Sequence, residues 1–335
     1  MIADLVASVR AREWWDYKLV PLLTAFYATL LLLDRPIAPL WPAAAMLLLA
    51  LVPGAAFVSL LNDLTDLEED RAAGKPNRMV GRGPSFRIMA ILLPVTAGGL
   101  FLWLWRDDPL LMAAYLATWI AFTLYSLSSF RLKARGFPGL LADAAGAHLF
   151  PTLVAILVAF RGVERPIDPL WIAAGAAWAF GYGLRGILWH QLSDRDNDRV
   201  AGVRTFAQRY PRLVSARLGA WLAFPLELFG LGMLFWKLGS PIPLLFLALY
   251  LLLIWWRIRR WSMQAVLVQS RPKYLIFLHE FYDVFLPMAI LVASAVAFPI
   301  DLLVVAVHLL VFNRRPRETV EDVRTLWRYR KHPSS

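Results

Sequence analysis

Long apolar segments dominate the chain, and short charged segments separate them. A membrane-crossing helix needs about 20 mostly apolar residues, whereas a strand of a membrane β-barrel shows alternating positions. The segments here are continuous, so we expect about nine spanning helices, and a shorter segment at 300–312 predicts a tenth span or an interfacial helix. The nine apolar segments lie at roughly 19–33, 40–61, 88–105, 109–125, 138–160, 170–189, 213–236, 241–256 and 277–298.

Composition supports this membrane assignment. The 335 residues are 59% hydrophobic, with a mean hydropathy of +0.55, and a soluble domain of this length would be more polar. Because lipid cannot satisfy open backbone groups, we predict an all-α polytopic helical bundle. There is no cysteine, which excludes disulfides, thiolate metal sites and a cysteine nucleophile. Residues 1–18 lack the pattern of a cleaved signal peptide and predict an amphipathic lead-in to a retained first span.

The basic residues are dispersed between the apolar segments rather than clustered. The formal net charge is +11, and in a polytopic protein such dispersed charges set orientation, so no nucleic-acid partner is expected. One set of loops is poor in basic residues and carries Arg35, Arg106, Arg161, Arg165 and Lys237. The other set is rich in them, within 10–18, 71–87, 131–135, 195–212 and 257–273. The positive-inside rule predicts that this second set faces the cytoplasm of a cell-membrane protein.

Two charged segments in the basic loops resemble each other. Residues 62–74 read NDLTDLEEDRAAG, and residues 190–202 read HQLSDRDNDRVAG. They follow the second and sixth apolar segments, which predicts two pseudo-repeated halves, about 10–135 and 136–260, with a site between them. C-terminal helices complete a single domain at 1–312, and a basic cytoplasmic tail occupies 313–335.

The acidic residues of the two segments have helical spacing. On a continuous helix, positions i, i+3 and i+7 form one stripe, and Glu69 and Asp196 fall off it. A single such motif could be a solvated helix end, but two copies on one side of the membrane are hard to explain in that way. Carboxylate and amide oxygens suit Mg²⁺, which shares its coordination sphere with phosphates. The predicted metal ligands are Asp63, Asp66, Asp70, Gln191, Asp194 and Asp198.

Basic residues beside both motifs suit a diphosphate held between them. They follow the first motif, follow the second, and lie in the loop between the fourth and fifth apolar segments. Fixed cations of this kind stabilise the charge that develops on a leaving diphosphate. The predicted diphosphate-binding residues are Asn62, Lys75, Arg78, Arg131, Lys133, Arg199 and Arg204.

These motifs resemble those of the UbiA-like superfamily of intramembrane prenyltransferases. The resemblance rests on N-D-x-x-D-x-x-x-D at 62–70 with K-P-N-R at 75–78, and on D-x-x-x-D at 194–198. Residues 125–136 look like the tyrosine- and lysine-bearing loop of that family, and 14–21 like its first-helix entry. The resemblance covers about 10–300. It implies nine helices around a lipid-accessible cavity, with the Asp motifs and Mg²⁺ at its cytoplasmic end, and isoprenyl transfer from a diphosphate to an acceptor.

Two departures from the family pattern indicate a divergent branch. His190 and Gln191 stand where the first copy has Asn62 and Asp63, which makes the second metal stripe weaker by one carboxylate. Residues 79–81 read Met-Val-Gly, where many members have a proline-containing segment. We therefore do not transfer an acceptor from the quinone-pathway enzymes.

The mechanism that follows from these charges is an ionisation. With Mg²⁺ and cations on the diphosphate, an allylic carbocation forms in an apolar, water-poor cavity and alkylates a lipophilic aromatic or other lipid-pathway acceptor. Membrane lipids are the remaining expected partners. The predicted catalytic residues are Asp63, Asp66, Asp194, Lys133 and Tyr125. A membrane terpene cyclase on the same scaffold is the alternative, and a transporter is a weaker one because both acidic clusters lie at one membrane face.

Several ionisable residues fall within or beside the predicted spans, where charges are expensive and often functional. They either face neighbouring helices or, for Asp143 or the His279–Asp283 pair, border an acceptor pocket and take the proton lost on alkylation. We expect His308 at the membrane interface, and anionic headgroups beside the basic tail. The other members of the set are His148, Arg185, Glu227 and Glu280.

Overall fold

A computed structural model describes residues 9, 11–72, 74–269 and 273–331. The beginning of the predicted lead-in helix (1–8), Arg10 and Arg271 of the predicted basic loops, and the end of the tail (332–335) lie outside the described residues.

Helices make up most of the described chain, as predicted. The first helix, α1, covers 11–32. The others are α2 Trp41–Thr65, α3 Leu67–Ala72, α4 Pro84–Leu104, α5 Pro109–Ser126, α6 Phe137–Gly162, α7 Pro169–Ser193, α8 Arg195–Val200, α9 Phe206–Arg209, α10 Arg212–Leu238, α11 Ile242–Trp261, α12 Phe281–Ala297, α13 Leu302–Val311 and α14 Arg314–Lys331. Short 3₁₀ turns lie at Ala38–Leu40, Leu132–Ala134 and Pro299–Asp301, and strands β1 Gln264–Val266 and β2 Tyr274–Ile276 form a parallel pair that the sequence did not predict.

Six helices among the described residues are long and apolar enough to cross a membrane. They are α2, α4, α5, α6, α10 and α11, and α2 gains a 3₁₀ turn that begins at Ala38. Residues 281–297 and 299–311 form shorter apolar helices. The chain is thus an all-α integral membrane protein, and the count of about nine spans stays a prediction.

Four helices contain a widened π turn, and each such turn precedes a proline. The turns are Trp15–Leu19, Ala145–Leu149, Gly219–Ala223 and Phe281–Phe285. In each case a proline stands two residues after the turn. Proline lacks an N–H and clashes with the carbonyl four residues earlier, so the preceding turn widens to accommodate it. These turns also carry several of the buried ionisable residues described below.

Helices α7 and α10 pack closely against each other. Gly181 and Gly230 allow it, because a Cβ at either position would meet the backbone of the facing helix. Small residues of this kind let membrane helices approach each other. The same interface buries a bidentate ion pair, in which Arg185 Nε and Nη2 donate to Glu227 at 2.6 and 2.7 Å. Tyr282 of α12 also donates to Glu227, at 2.7 Å, so this carboxylate joins three helices.

The two ends of the bundle carry different loops. At one end, the Asp168 side chain caps α7 and pairs with Lys237, and this hydrogen bond lowers the pKa of Asp168. Asp301 accepts hydrogen bonds there from the amides of Ile37 and Ala38 at 2.9 and 2.8 Å. The opposite end carries both acidic motifs and the loops around them.

Candidate functional site

The two acidic motifs have the same backbone. Adding 128 to the bounds of α2 and α3 gives the bounds of α7 and α8. Both long helices end one residue before an aspartate, Asp66 with φ −107° and Asp194 with φ −87°. Both six-residue helices are followed by a left-handed glycine, Gly74 at φ 66° and Gly202 at φ 72°. The expectation of a continuous helix through each motif was therefore wrong, because each helix is interrupted at its aspartate.

The hydrogen bonds of the two motifs also match. The amides of Asp70 and Asp198 donate to the carbonyls four residues earlier, both at 2.8 Å. Seven residues after each of these aspartates, a side chain binds its carboxylate. Asn77 Nδ2 donates to Asp70 at 2.8 Å, and Thr205 Oγ1 donates to Asp198 at 3.1 Å. Neither partner was predicted from the sequence, although each lies seven residues after the aspartate that it binds.

Both motifs face one cavity of about 400 Å³. Apart from Arg131, Arg199 and Arg204, every residue predicted for the site lines it. Asn62 is held there by a hydrogen bond from the Ser126 hydroxyl. The lining residues are Asn62, Asp63, Asp66, Glu69, Asp70, Lys75, Pro76, Arg78, Tyr125, Lys133, His190, Gln191, Asp194, Asn197, Asp198, Ala201, Val203 and Thr205.

Two lysines pair with the aspartates at the helix interruptions. Lys75, from the loop after the first motif, reaches across to Asp194 of the second at 2.9 Å. Lys133, from the loop between α5 and α6, pairs with Asp66. The side chain of Lys133 is 9% exposed and that of Lys75 is 32% exposed. The aspartate at each helix interruption is thus paired with a lysine that lies outside its own motif.

Three predicted arginines lie outside the cavity lining. Arg131 sits at its edge, where it pairs with Glu69 and approaches Asp66 to 3.7 Å. Glu69 itself lines the cavity, so placing it off the acidic face was wrong. Arg199 and Asp196 are exposed and face each other at 3.9 Å. Arg204 is also exposed. Proximity in sequence did not reveal which way these side chains point, and their diphosphate role stays a prediction.

The charges around the cavity suit a divalent cation shared with a ligand. Burial raises the pKa of Asp198, and the neighbouring charge of Asp194 raises it further, while the Thr205 hydrogen bond lowers it. An oxygen-only donor set of this kind fits Mg²⁺. No group of three acidic or histidine side chains among the described residues converges on a single point.

A second polar cluster lies among the π turns. Lys18 Nζ contacts His148 Nε2 at 3.0 Å, and Lys18 is within electrostatic range of Asp143 and Asp283. The ring of Tyr182 packs edge-on against His148, with centroids 4.6 Å apart. This arrangement connects α1, α6, α7 and α12 beneath the acidic motifs.

Two members of the predicted buried set keep polar atoms without a hydrogen-bond partner among the described residues, His279 Nε2 and Asp283 Oδ1. His279 also packs edge-on against Tyr182, at 5.3 Å between centroids. Glu280 pairs with Arg257. His308 is 3% exposed and packs against Tyr27, so its ring contacts protein, and the interfacial depth expected for it stays a prediction.

Two solved structures have a similar fold. Both are of a UbiA homolog from Archaeoglobus fulgidus, one bound to GPP and Mg²⁺ and the other to DMAPP and Mg²⁺. The first has a TM-score of 0.56 and covers 89% of this chain, and the second has 0.59 and covers 88%. Each is 14% identical and is covered over 99% of its own length. No curated protein matches the chain significantly.

A family model provides the stronger comparison. The model described as the UbiA prenyltransferase family matches residues 21–281, which include both acidic motifs and the loop between α5 and α6. This match confirms the resemblance inferred from the motifs. The chain belongs to the UbiA prenyltransferase family.

Proposed function

We propose that this protein transfers an isoprenyl group from a prenyl diphosphate to a lipophilic acceptor, with Mg²⁺ in the cavity between the two acidic motifs. The observation that carries the proposal is the pair of motifs with one backbone geometry, facing one cavity of about 400 Å³. The similar archaeal structures contain GPP or DMAPP with Mg²⁺, which supports this substrate class. The basic loops beside the motifs favour a cytoplasmic position for this end of a cell-membrane protein.

The carboxylates on both walls would hold the cations. Asp66, Asp70, Asp194 and Asp198 offer oxygens to the same cavity. Bound Mg²⁺ would neutralise the charge that develops on the diphosphate as its C–O bond breaks. The amide oxygens of Asn62 and Gln191 add neutral acceptors on the same walls.

Lys75 and Lys133 would exchange partners when substrate binds. In the structure they neutralise Asp194 and Asp66. An incoming diphosphate brings oxygens for the lysines, while the released carboxylates become available to cations. Fixed cations in a site with little water stabilise a leaving anion strongly. Arg78, which also lines the cavity, would contact the same diphosphate.

Tyr125 would lie where the diphosphate meets the prenyl chain. It occupies the end of α5 and lines the cavity together with Gln191 on the facing helix. A phenol there orients an oxygen of the diphosphate or presents its ring to the allylic cation, an interaction of about 0.5–2 kcal/mol. Exclusion of water by the surrounding helices protects that cation from hydrolysis.

The second polar cluster would border the acceptor. Its unpartnered atoms on His279 and Asp283 and its Lys18–His148 contact provide groups that can hold an acceptor and receive its proton. Buried polar atoms generally have partners, so unpartnered ones suggest a bound water or ligand. We therefore place the acceptor between this cluster and the cavity.

A product assay tests the proposal. Purified protein is incubated with dimethylallyl, geranyl, farnesyl or geranylgeranyl diphosphate, with Mg²⁺ or with a chelator, and with or without a lipid extract. We expect Mg²⁺-dependent diphosphate release, and a prenylated product by mass spectrometry only when the extract is present. A cyclic hydrocarbon formed without extract would identify a terpene cyclase instead. No diphosphate release under any condition would contradict the proposal.

A further inference from the structure

The C-terminal helix α14 begins at the surface of the apolar bundle. It is separated by two residues from α13, Leu302–Val311. That helix presents apolar side chains outward, with Leu303 65% exposed and Leu310 74% exposed, as expected of a surface that faces lipid. The start of α14 therefore lies where the bilayer meets water. Its 18 residues extend about 27 Å at 1.5 Å per residue.

One face of α14 docks onto the bundle. Arg315 Nε lies 3.5 Å from Asp283 of α12, and Asp322 accepts from Arg257 Nη2 of α11 at 2.8 Å. Thr319 donates to Glu280 at 2.5 Å, and Leu326 is fully buried. These positions repeat at helical spacing, so the orientation of α14 on the protein is fixed by specific contacts.

The rest of α14 presents two adjoining stripes outward. The first is apolar and consists of Val320, Val323 and Trp327, which are 46%, 39% and 50% exposed. The second is basic and consists of Arg317, Arg324 and Arg328, all exposed. Helical spacing puts the basic stripe directly beside the apolar one and away from the docked face.

The two stripes together are typical of a helix at a membrane interface. A helix with an apolar stripe bordered by arginines lies in the plane of a membrane interface, with the apolar side chains among the headgroups and the arginines on lipid phosphates. Water alone would leave the apolar stripe unfavourably exposed, and neutral lipid would leave the arginines without counterions. Tryptophan, as at position 327, is typical of this depth.

We propose that α14 is an interfacial helix whose outer face binds the anionic phospholipid headgroups of the bilayer that the bundle spans. The apolar and basic stripes bind lipid together, while the docked face links the bound lipid surface to α11 and α12. The proposal does not depend on the reaction carried out in the cavity.

The first test measures lipid selectivity on the full chain. Protein is purified in an equal mixture of phosphatidylglycerol and phosphatidylcholine, and the retained lipids are counted by native mass spectrometry. A variant with Arg317, Arg324 and Arg328 changed to glutamine is compared with a control in which Arg35, Arg106 and Arg165, in loops outside α14, are changed in the same way. We expect the α14 variant to lose roughly fivefold or more of the phosphatidylglycerol preference, and the control to keep it.

The second test measures the depth of α14 in the membrane, in variants that keep all of its arginines. Because the chain has no cysteine, a nitroxide can be placed by Val323→Cys or, as a control on the water-facing side, by Glu321→Cys. In discs containing phosphatidylglycerol, the label at 323 should be reached by oxygen rather than by a water-soluble nickel chelate, and the label at 321 should show the opposite.

Equal lipid ratios in wild type and the α14 variant, or a label at 323 that the nickel chelate reaches, would overturn the proposal.

Discussion

The two acidic motifs share a backbone but differ in the residue three positions before the aspartate at the helix interruption. Asp63 and Gln191 are both buried, at 2% and 3% exposure. Asp63 Oδ2 accepts a hydrogen bond from the amide of Arg78 at 3.3 Å, and Gln191 Oε1 accepts one from the amide of Ala207 at 3.4 Å. In each copy this side chain therefore binds the backbone of the segment that follows the motif.

The difference between Asp63 and Gln191 therefore concerns more than metal binding. The sequence suggested that Gln191 weakens a metal site by replacing a carboxylate. The structure shows a second role at this position, an oxygen that accepts an amide hydrogen bond, and glutamine fills this role without a charge. The aspartates that the two copies have in common, at positions 66 and 194 and at 70 and 198, then carry most of the expected cation binding.

The largest expected effect is the loss of an aspartate at a helix interruption. Asp66→Ala and Asp194→Ala should each lower Mg²⁺-dependent diphosphate release roughly 10²–10³-fold or more, because an electrostatic stabiliser of the leaving group is lost. Asp196→Ala is the matched control, since Asp196 is exposed outside the cavity, and it should keep near-normal activity. Full activity in either of the first two variants would show that the motifs are not equivalent.

Next in size is the loss of the lysines that pair with these aspartates. Lys75→Met and Lys133→Met should lower kcat about 10- to 100-fold, and Lys133 should matter more because its side chain is more buried. Lys237→Met serves as the control, because it breaks a pair with Asp168 at the opposite end of the bundle. Steady-state kinetics on all three variants gives the comparison. Equal kcat in the Lys133 and Lys237 variants would exclude a role in leaving-group stabilisation.

A smaller effect is expected where the motifs differ. Asp63→Gln copies the second motif into the first and keeps an acceptor for the amide of Arg78, so activity should fall by about tenfold or less. Asp63→Leu removes that acceptor and should also lower the melting temperature. If Asp63→Gln were as inactive as Asp66→Ala, the carboxylate charge, rather than the hydrogen bond to the amide, would be what matters at this position.

The smallest effect concerns backbone geometry alone. Gly74→Ala and Gly202→Ala place a Cβ at positive φ, with nothing within 4 Å to clash with it. Each should reduce the free energy of unfolding by about 1 kcal/mol through backbone strain. Thermal unfolding in detergent should show similar shifts for the two variants, and clearly different shifts would contradict the equivalence of the two turns.

Apolar segments and repeated motifs were enough to predict the long apolar helices and the meeting of the two motifs at one site. The 128-residue offset in the sequence reappears in the bounds of α2 and α7. The interruption at Asp66 and Asp194 was not predicted, because helical spacing assumes that the helix continues. Nothing in the local sequence signals that each aspartate closes one helix and precedes another.

The direction of side chains around the motifs was the other feature that the sequence could not predict. Arg199 and Lys75 both follow a motif, yet Lys75 crosses to Asp194 while Arg199 faces outward. The direction of each side chain depends on where the neighbouring segments lie in space. That arrangement cannot be predicted from the local sequence. The docked position of α14 was missed for the same reason, since its partners Glu280 and Asp283 are distant in sequence.

The central claim is that the two motifs form one binding site, and a binding cycle tests it most directly. The affinity of an unreactive geranyl thiodiphosphate is measured by calorimetry with Mg²⁺ for wild type, Asp66→Asn, Asp194→Asn and the double variant. A shared site predicts that each single change removes most of the Mg²⁺-dependent affinity and that the second change adds little. Losses that simply add, or an unchanged affinity in either single variant, would contradict it.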